Sequence, residues 1–351
     1  MNELKKRLQN RVAESHYALL STAAITLVVW YLSGLVSRQL YLPLALFGVS
    51  TYLMMELNNS NALIRIYSRM VSCSFMILAC TALPLFQSLD TALVTLCFIT
   101  FLLAAFNSYQ DKQAVGWIFY AFLALSIAST IFPQVLFFIP FIWLFMAYLL
   151  MTFSVRTFGA SLIGLLTPYS FILPVCVLTD HMDFFDNLYC QFTDFRPLLF
   201  MHSQQESLLT AIGDRVNVVL LFSFIFVTIC AIIGTVHFLR NSFRDKIRTR
   251  MFYNIFIYFN LIILLFILLQ PQHFHFLLCM MIVTTSPLIG HFVALTKTRA
   301  TNVLFCLLLI AVVGITLFHL LPPTLFSLPS WDTLRDGVIS NLPEWISSLI
   351  S

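Results

Sequence analysis

Apolar residues fill long unbroken stretches of this chain, and charged residues are confined to the gaps between them. Eleven stretches stand out. They lie at Tyr17–Leu35, Tyr41–Met55, Val71–Phe86, Thr91–Phe106, Ala114–Ile131, Gln134–Phe153, Phe158–Leu178, Val216–Phe238, Met251–Leu269, Phe274–Leu295 and Val303–Leu321. A helix needs about 20 apolar residues to cross roughly 30 Å of hydrocarbon. Barrel strands instead alternate with a period of two over about ten residues, which these runs do not. The pattern therefore predicts an all-α, polytopic transmembrane helical bundle of about 11 spans. The second stretch is short, boxed in by Arg38 and Glu56, and the Pro133 break fits either a full crossing or a re-entrant hairpin.

The same segmentation divides the chain into three parts. Residues 1–16 form a cytoplasmic interfacial segment, 17–321 the bundle with an outer loop at 179–215, and 322–351 an outer-face amphipathic tail carrying Trp331 and Trp345. Leu4, Leu8 and Val12 recur every fourth position opposite Lys5, Lys6 and Arg7, as in a helix lying in the headgroup layer. No small-residue cleavage site follows, so this start is read as retained and not as a signal peptide.

Composition agrees. Hydrophobic residues make up 60% of the 351 and charged residues 10%, with a mean hydropathy of +0.92, against about 25% charged in a soluble domain. With the N-terminus inside, the inner segments hold Lys5, Lys6, Arg7, Arg11, Arg65, Arg69, Lys112, Arg156, Arg240, Arg244, Lys246, Arg248, Arg250, Lys297 and Arg299, leaving Arg38, Arg196, Arg215 and Arg335 outside. That bias orients the chain N-in, C-out. Seven of the eight cysteines lie in apolar runs and only Cys190 in a loop, without any CxxC pair, so neither a disulfide framework nor a metal cluster is expected from them.

Candidate chemistry is sparse. The outer loop carries Asp180, His181, Asp183, Asp186 and Arg196, and Phe184, Phe185, Leu188 and Tyr189 give it the pattern of a short surface helix. His273 and His275 begin the tenth stretch at the same side. Neutral imidazoles and carboxylates are able to hold a metal or move protons. Bridging between headgroups and water explains these residues equally well, and the two rings of His273-Phe274-His275 point apart. No cofactor and no metal is expected. Charged groups at span centres, the usual mark of ion coupling, are absent. The seventh stretch has Gly159, Ala160, Ser161 and Gly164 on one flank and two prolines, which predicts close packing at the centre of the bundle. Pro287 follows Thr284, Thr285 and Ser286, whose hydroxyls are suited to a kink. The densest basic patch, Arg240, Arg244, Lys246, Arg248 and Arg250, is expected to contact lipid headgroups, not nucleic acid.

The segments Asn61–Arg65 through Ser68, Gly116-Trp117 to Phe132-Pro133, and Ser154-Val155-Arg156 leading into Gly164-Leu165-Leu166-Thr167-Pro168-Tyr169 resemble an uncharacterised family of polytopic inner-membrane proteins from Bacteroidota. The resemblance implies location and topology and no catalytic residue. The expected role is a non-catalytic or accessory component of envelope assembly in the bacterial inner membrane, with membrane lipids and another envelope protein as partners. Two alternatives stay open. One is an outer-face enzyme handling lipid-linked glycan, of polymerase, ligase or transferase type. The other is a transporter of a neutral or lipid substrate.

Overall fold

The computed structural model describes residues 8–15, 17–179, 182–193, 215–296 and 298–320. All regular structure among them is helical. The α-helices are α1 (Leu8–Glu14), α2 (Ala18–Leu32), α3 (Tyr41–Asn61), α4 (Met70–Thr81), α5 (Leu83–Phe86), α6 (Leu89–Asn107), α7 (Val115–Ser129), α8 (Ile139–Tyr148), α9 (Val155–Leu178), α10 (Asp183–Thr193), α11 (Arg215–Asn241), α12 (Ile247–Leu269), α13 (Phe274–Leu295) and α14 (Arg299–Leu320). Short 3-10 segments at Pro133–Phe138, Ser242–Arg244 and Pro271–His273 lead into α8, follow α11 and precede α13.

Six helical segments are long and apolar enough to cross a membrane: α6, α9, α11 with its following 3-10 turn, α12, α13 with its leading turn, and α14. The molecule is a helical membrane protein. Four shorter apolar helices, Ala18–Leu32, Met70–Thr81, Val115–Ser129 and Pro133–Tyr148, fill the intervals. The short second stretch becomes the 21-residue α3, which runs past Glu56 to Asn61. Its polar end is usable because Asn58 Nδ2 donates to the Ser68 carbonyl at 3.0 Å and Arg248 donates to Asn61 Oδ1 at 3.0 Å. Ala62, at φ 46°, then closes the helix in the left-handed conformation.

The centre of the bundle is α13, with 94% of its span buried, while α9 has only 17% buried. This overturns the central place expected for the seventh stretch. Its small residues do serve close packing, but with α7 and α8: a Cβ on Gly164 would lie 2.7 Å from the Phe119 carbonyl of α7, and Ser161 accepts from Trp143 Nε1 of α8 at 3.2 Å. Around α13 stand α4, α6, α11 and α12. Lipid is as apolar as the helix surfaces, so association rests on close contact and polar links. Phe106 stacks on Phe252 at 4.2 Å, and Thr284 and Thr285 both donate to Asn260 Oδ1. Beside Pro287, Ser286 donates to the Ile282 carbonyl at 2.5 Å and Thr284 to those of Met280 and Met281.

The N-terminal helix is held to the bundle by polar groups. Gln9 bonds Thr296 Oγ1 and, at 2.9 Å, the Val293 carbonyl; Asn10 reaches the Thr296 carbonyl and Ser68 Oγ the Ala13 carbonyl. Gln9, Asn10 and Ala13 are its buried face, where the sequence pattern pointed to an apolar face resting on lipid. Residues 1–7 of the N-terminal segment and the 322–351 tail lie outside the described residues.

Candidate functional site

Between α11 and α12 the chain has only a 3-10 turn and two further residues, and the extended backbone of Asp245, at φ −95° and ψ 154°, follows directly on that turn. Its side chain turns into the bundle and is fully buried. Arg65 Nε approaches Asp245 Oδ1 at 2.8 Å, an ion pair that lacks aligned hydrogen-bond geometry, and Arg65 also donates to the Arg244 carbonyl at 3.2 Å. On the other side His291 of α13, fully buried, brings Nε2 to 3.2 Å from Asp245 Oδ2. Its Nδ1 lies 3.4 Å from Nδ1 of His237 on α11. Tyr253 and Phe238 wall the His291 ring at 4.9 and 5.6 Å.

A carboxylate only accepts, so His291 Nε2 carries a proton and donates to Asp245. The two Nδ1 atoms share a single proton between the rings.

His237 lines a cleft of about 910 Å³ between α11 and α14, floored by the end of α13. Arg65, Arg240 and Arg244 give the cleft its positive charge, and the carboxylate of Glu14 stands on the same rim. Ile232, Ile233, Val236 and Leu304 supply apolar wall. Because α14 is only 11% buried, the cleft is bounded on one side by an outlying helix. Cations above an apolar wall suit an amphiphile with a negative head.

The basic patch expected to meet headgroups therefore divides. Arg240 and Arg244 line the cleft, and Lys246 is exposed at the start of α12. Arg248 is committed to Asn61 and to the faces of Tyr109 and Phe252, at 5.7 and 5.3 Å. Arg250, its Nε buried without a partner, lines a separate cavity of about 400 Å³ beside Phe238 and Asn254.

The candidates of the long loop and of the start of α13 do not form a comparable cluster among the described residues. Asp183 and Asp186 lie exposed on α10, the surface helix that the loop pattern predicts. That helix docks through Phe192 stacked on Phe137 at 4.7 Å and through the Gln191 carbonyl, which accepts from Gln134. His273 Nε2 sits 2.8 Å from the same Gln134 side chain, and His275 is exposed. Asp180, His181 and Arg196 lie outside the described residues. Among the described residues no three His, Cys, Asp or Glu side chains are grouped to hold a metal, and all eight cysteines are free, Cys190 alone being exposed.

Sequence reasoning passed over His237, His291 and Asp245. The one available signal was that Asp245 is the only acid in the Arg240–Arg250 patch. No protein-family model matches this chain, and no curated protein or solved structure was found to match it.

Proposed function

We propose that the chain is a multi-pass protein of a bacterial inner membrane that holds an anionic lipid in the cleft between α11 and α14, as a non-catalytic, accessory component of envelope assembly. The observation that carries this is the joining of Arg65, Arg240 and Arg244 to an apolar wall in one cleft. The topology in this reading is eleven crossings, N-terminus in the cytoplasm and C-terminus outside. Six long apolar helices, four shorter ones and α3 make up that number. Support also comes from the connections that carry basic residues, which meet at one end. Arg65 touches the α11–α12 connection, Gln9 bonds the end of α13, Arg248 lies over Tyr109, and Ser154 donates to the Lys112 carbonyl.

The test is lipid retention. Full-length protein purified in non-ionic detergent is mixed with anionic and zwitterionic lipid, and bound lipid is read by native mass spectrometry. R240A/R244A is expected to lower anionic-lipid retention about tenfold, near 1 kcal/mol or somewhat less per cation removed, and to leave zwitterionic lipid unchanged. Both arginines are exposed, so the variant is expected to fold. Equal anionic-lipid retention by both proteins would remove the cleft as the lipid site.

A further inference from the structure

We infer that the separate cavity of about 400 Å³ beside Phe238 is a second phospholipid site, in which Arg250 holds the lipid phosphate. No residue lines both this cavity and the cleft. Arg250 is half-buried, and among the described residues it makes no ion pair, no side-chain hydrogen bond and no ring contact. Its Nε is nevertheless buried, while its two Nη groups, unpaired as well, stay accessible. A cation drawn partly out of water loses hydration that only an acceptor restores. The planar fork of a guanidinium takes two oxygens of one phosphate at once. The other arginines of the connection are placed differently: Arg248 is committed to Asn61, and Arg240 and Arg244 line the cleft.

The position of the cavity indicates which phosphate. It spans the end of α11 and the start of α12, both long and apolar enough to cross a membrane, so it lies at the level of the lipid headgroups. Leu239 and Ile247 on its wall are large apolar side chains, each 59% exposed, and Phe238 and Met251 extend the apolar lining. Free phosphate would leave that wall bare, whereas the glycerol and first acyl carbons of a phospholipid cover it. Ser242 and Asn254 add neutral polar groups. Ser242 Oγ donates to the Leu239 carbonyl at 3.3 Å, which leaves its oxygen as an acceptor for a headgroup donor. Lys246 does not line the cavity. One arginine against one phosphate balances, and no surplus cation repels an ammonium farther along the headgroup. The cavity therefore accepts zwitterionic phospholipid, while the cleft, with Arg240 and Arg244, calls for an anionic one. With one cation fewer it is the weaker of the two sites.

Zwitterionic lipid reads this site apart from the cleft. Full-length protein in non-ionic detergent is mixed with an excess of dioleoyl phosphatidylcholine, and bound lipid is counted by native mass spectrometry. The wild type is expected to retain it, and R250A to retain about tenfold less, the size of one charge-assisted hydrogen bond. R250K keeps the charge without the fork and is expected to lose about threefold. R240A/R244A is expected to match the wild type. Wild-type retention by R250A overturns the Arg250 site, and so does a loss confined to R240A/R244A, which would put the zwitterionic lipid in the cleft. If R250A loses phosphatidylcholine while R240A/R244A keeps its anionic lipid, the cleft reading fails and this site stands. Displacement of phosphatidylcholine by equimolar inorganic phosphate overturns the requirement for a lipid. R250A is expected to keep the anionic lipid of the cleft, which shows that it is folded. Should it lose that lipid too, R250Q, which keeps amide donors and removes the charge, carries the test, and wild-type retention of phosphatidylcholine by R250Q overturns the site.

Discussion

Asp245→Ala is expected to destabilise the protein by about 2–4 kcal/mol, seen as a lower unfolding midpoint in detergent. Removing one member of a buried ion pair strands its partner, which costs roughly 3–5 kcal/mol when both are fully buried. Arg65 is one-third exposed and can turn toward water, whereas His291 is fully buried and cannot. The cost therefore comes mainly from His291 Nε2, left without an acceptor, and from the loosened link between the α3–α4 and α11–α12 connections. Asp245→Asn separates these contributions. Its side-chain oxygen still accepts from His291, so it is expected to lose about half as much stability. Equal losses in the two variants would show that charge, and not the hydrogen bond to His291, is what Asp245 supplies.

Gly234→Val is expected to be damaging by a different route. A Cβ at Gly234 would stand 2.8 Å from the backbone carbonyl carbon of Leu288 and 2.8 Å from its Cβ. Backbone cannot step aside as a flexible side chain does, so α11 must move away from α13. Overpacking of this kind costs typically about 1–3 kcal/mol, occasionally more. The movement has a functional signature, because His237 and Arg240 follow Gly234 on the same helix. Separating α11 from α13 lengthens the 3.4 Å contact between His237 and His291 and deforms the cleft. Anionic-lipid retention is therefore expected to fall along with stability. By contrast, Gly116→Ala and Gly159→Ala meet nothing within 4 Å and are expected to change neither.

Much of the helical layout was legible because apolar runs of membrane length are a strong signal in a chain with 10% charged residues. The boundaries of α2, α6, α12 and α13 fall within a few residues of the stretches that announce them. What stayed hidden is which helix is central. All the spans are apolar, so composition does not separate α13, packed on every side, from α9, which faces lipid over most of its surface. The small residues of α9 pointed to the centre, yet Gly164 serves its seam with α7 and Ser161 its contact with α8.

The candidate site was hidden for a related reason. His237, Asp245 and His291 are separated in the chain and are joined only where α11, its connection to α12 and the end of α13 come together. A search of the longest loop drew attention to Asp180, His181, Asp183, Asp186, Arg196, His273 and His275 instead. Those residues share a side of the protein by charge counting, but Asp183 and Asp186 are exposed on α10 while His273 is engaged with Gln134. A lone acid among arginines is the pattern that would have located the buried pair, since such an acid has partners close at hand.

The central claim is that the arginine-lined cleft opens at the cytoplasmic end, and a membrane-impermeant maleimide tests it most directly. Native Cys190 lies exposed on α10, and Lys246 is exposed at the opposite end, next to the cleft. In spheroplasts, Cys190 is expected to label from outside, whereas a Lys246→Cys, Cys190→Ser protein labels only after the membrane is opened. Labelling of Lys246→Cys in sealed spheroplasts, with Cys190 protected, would turn the molecule over and contradict the account.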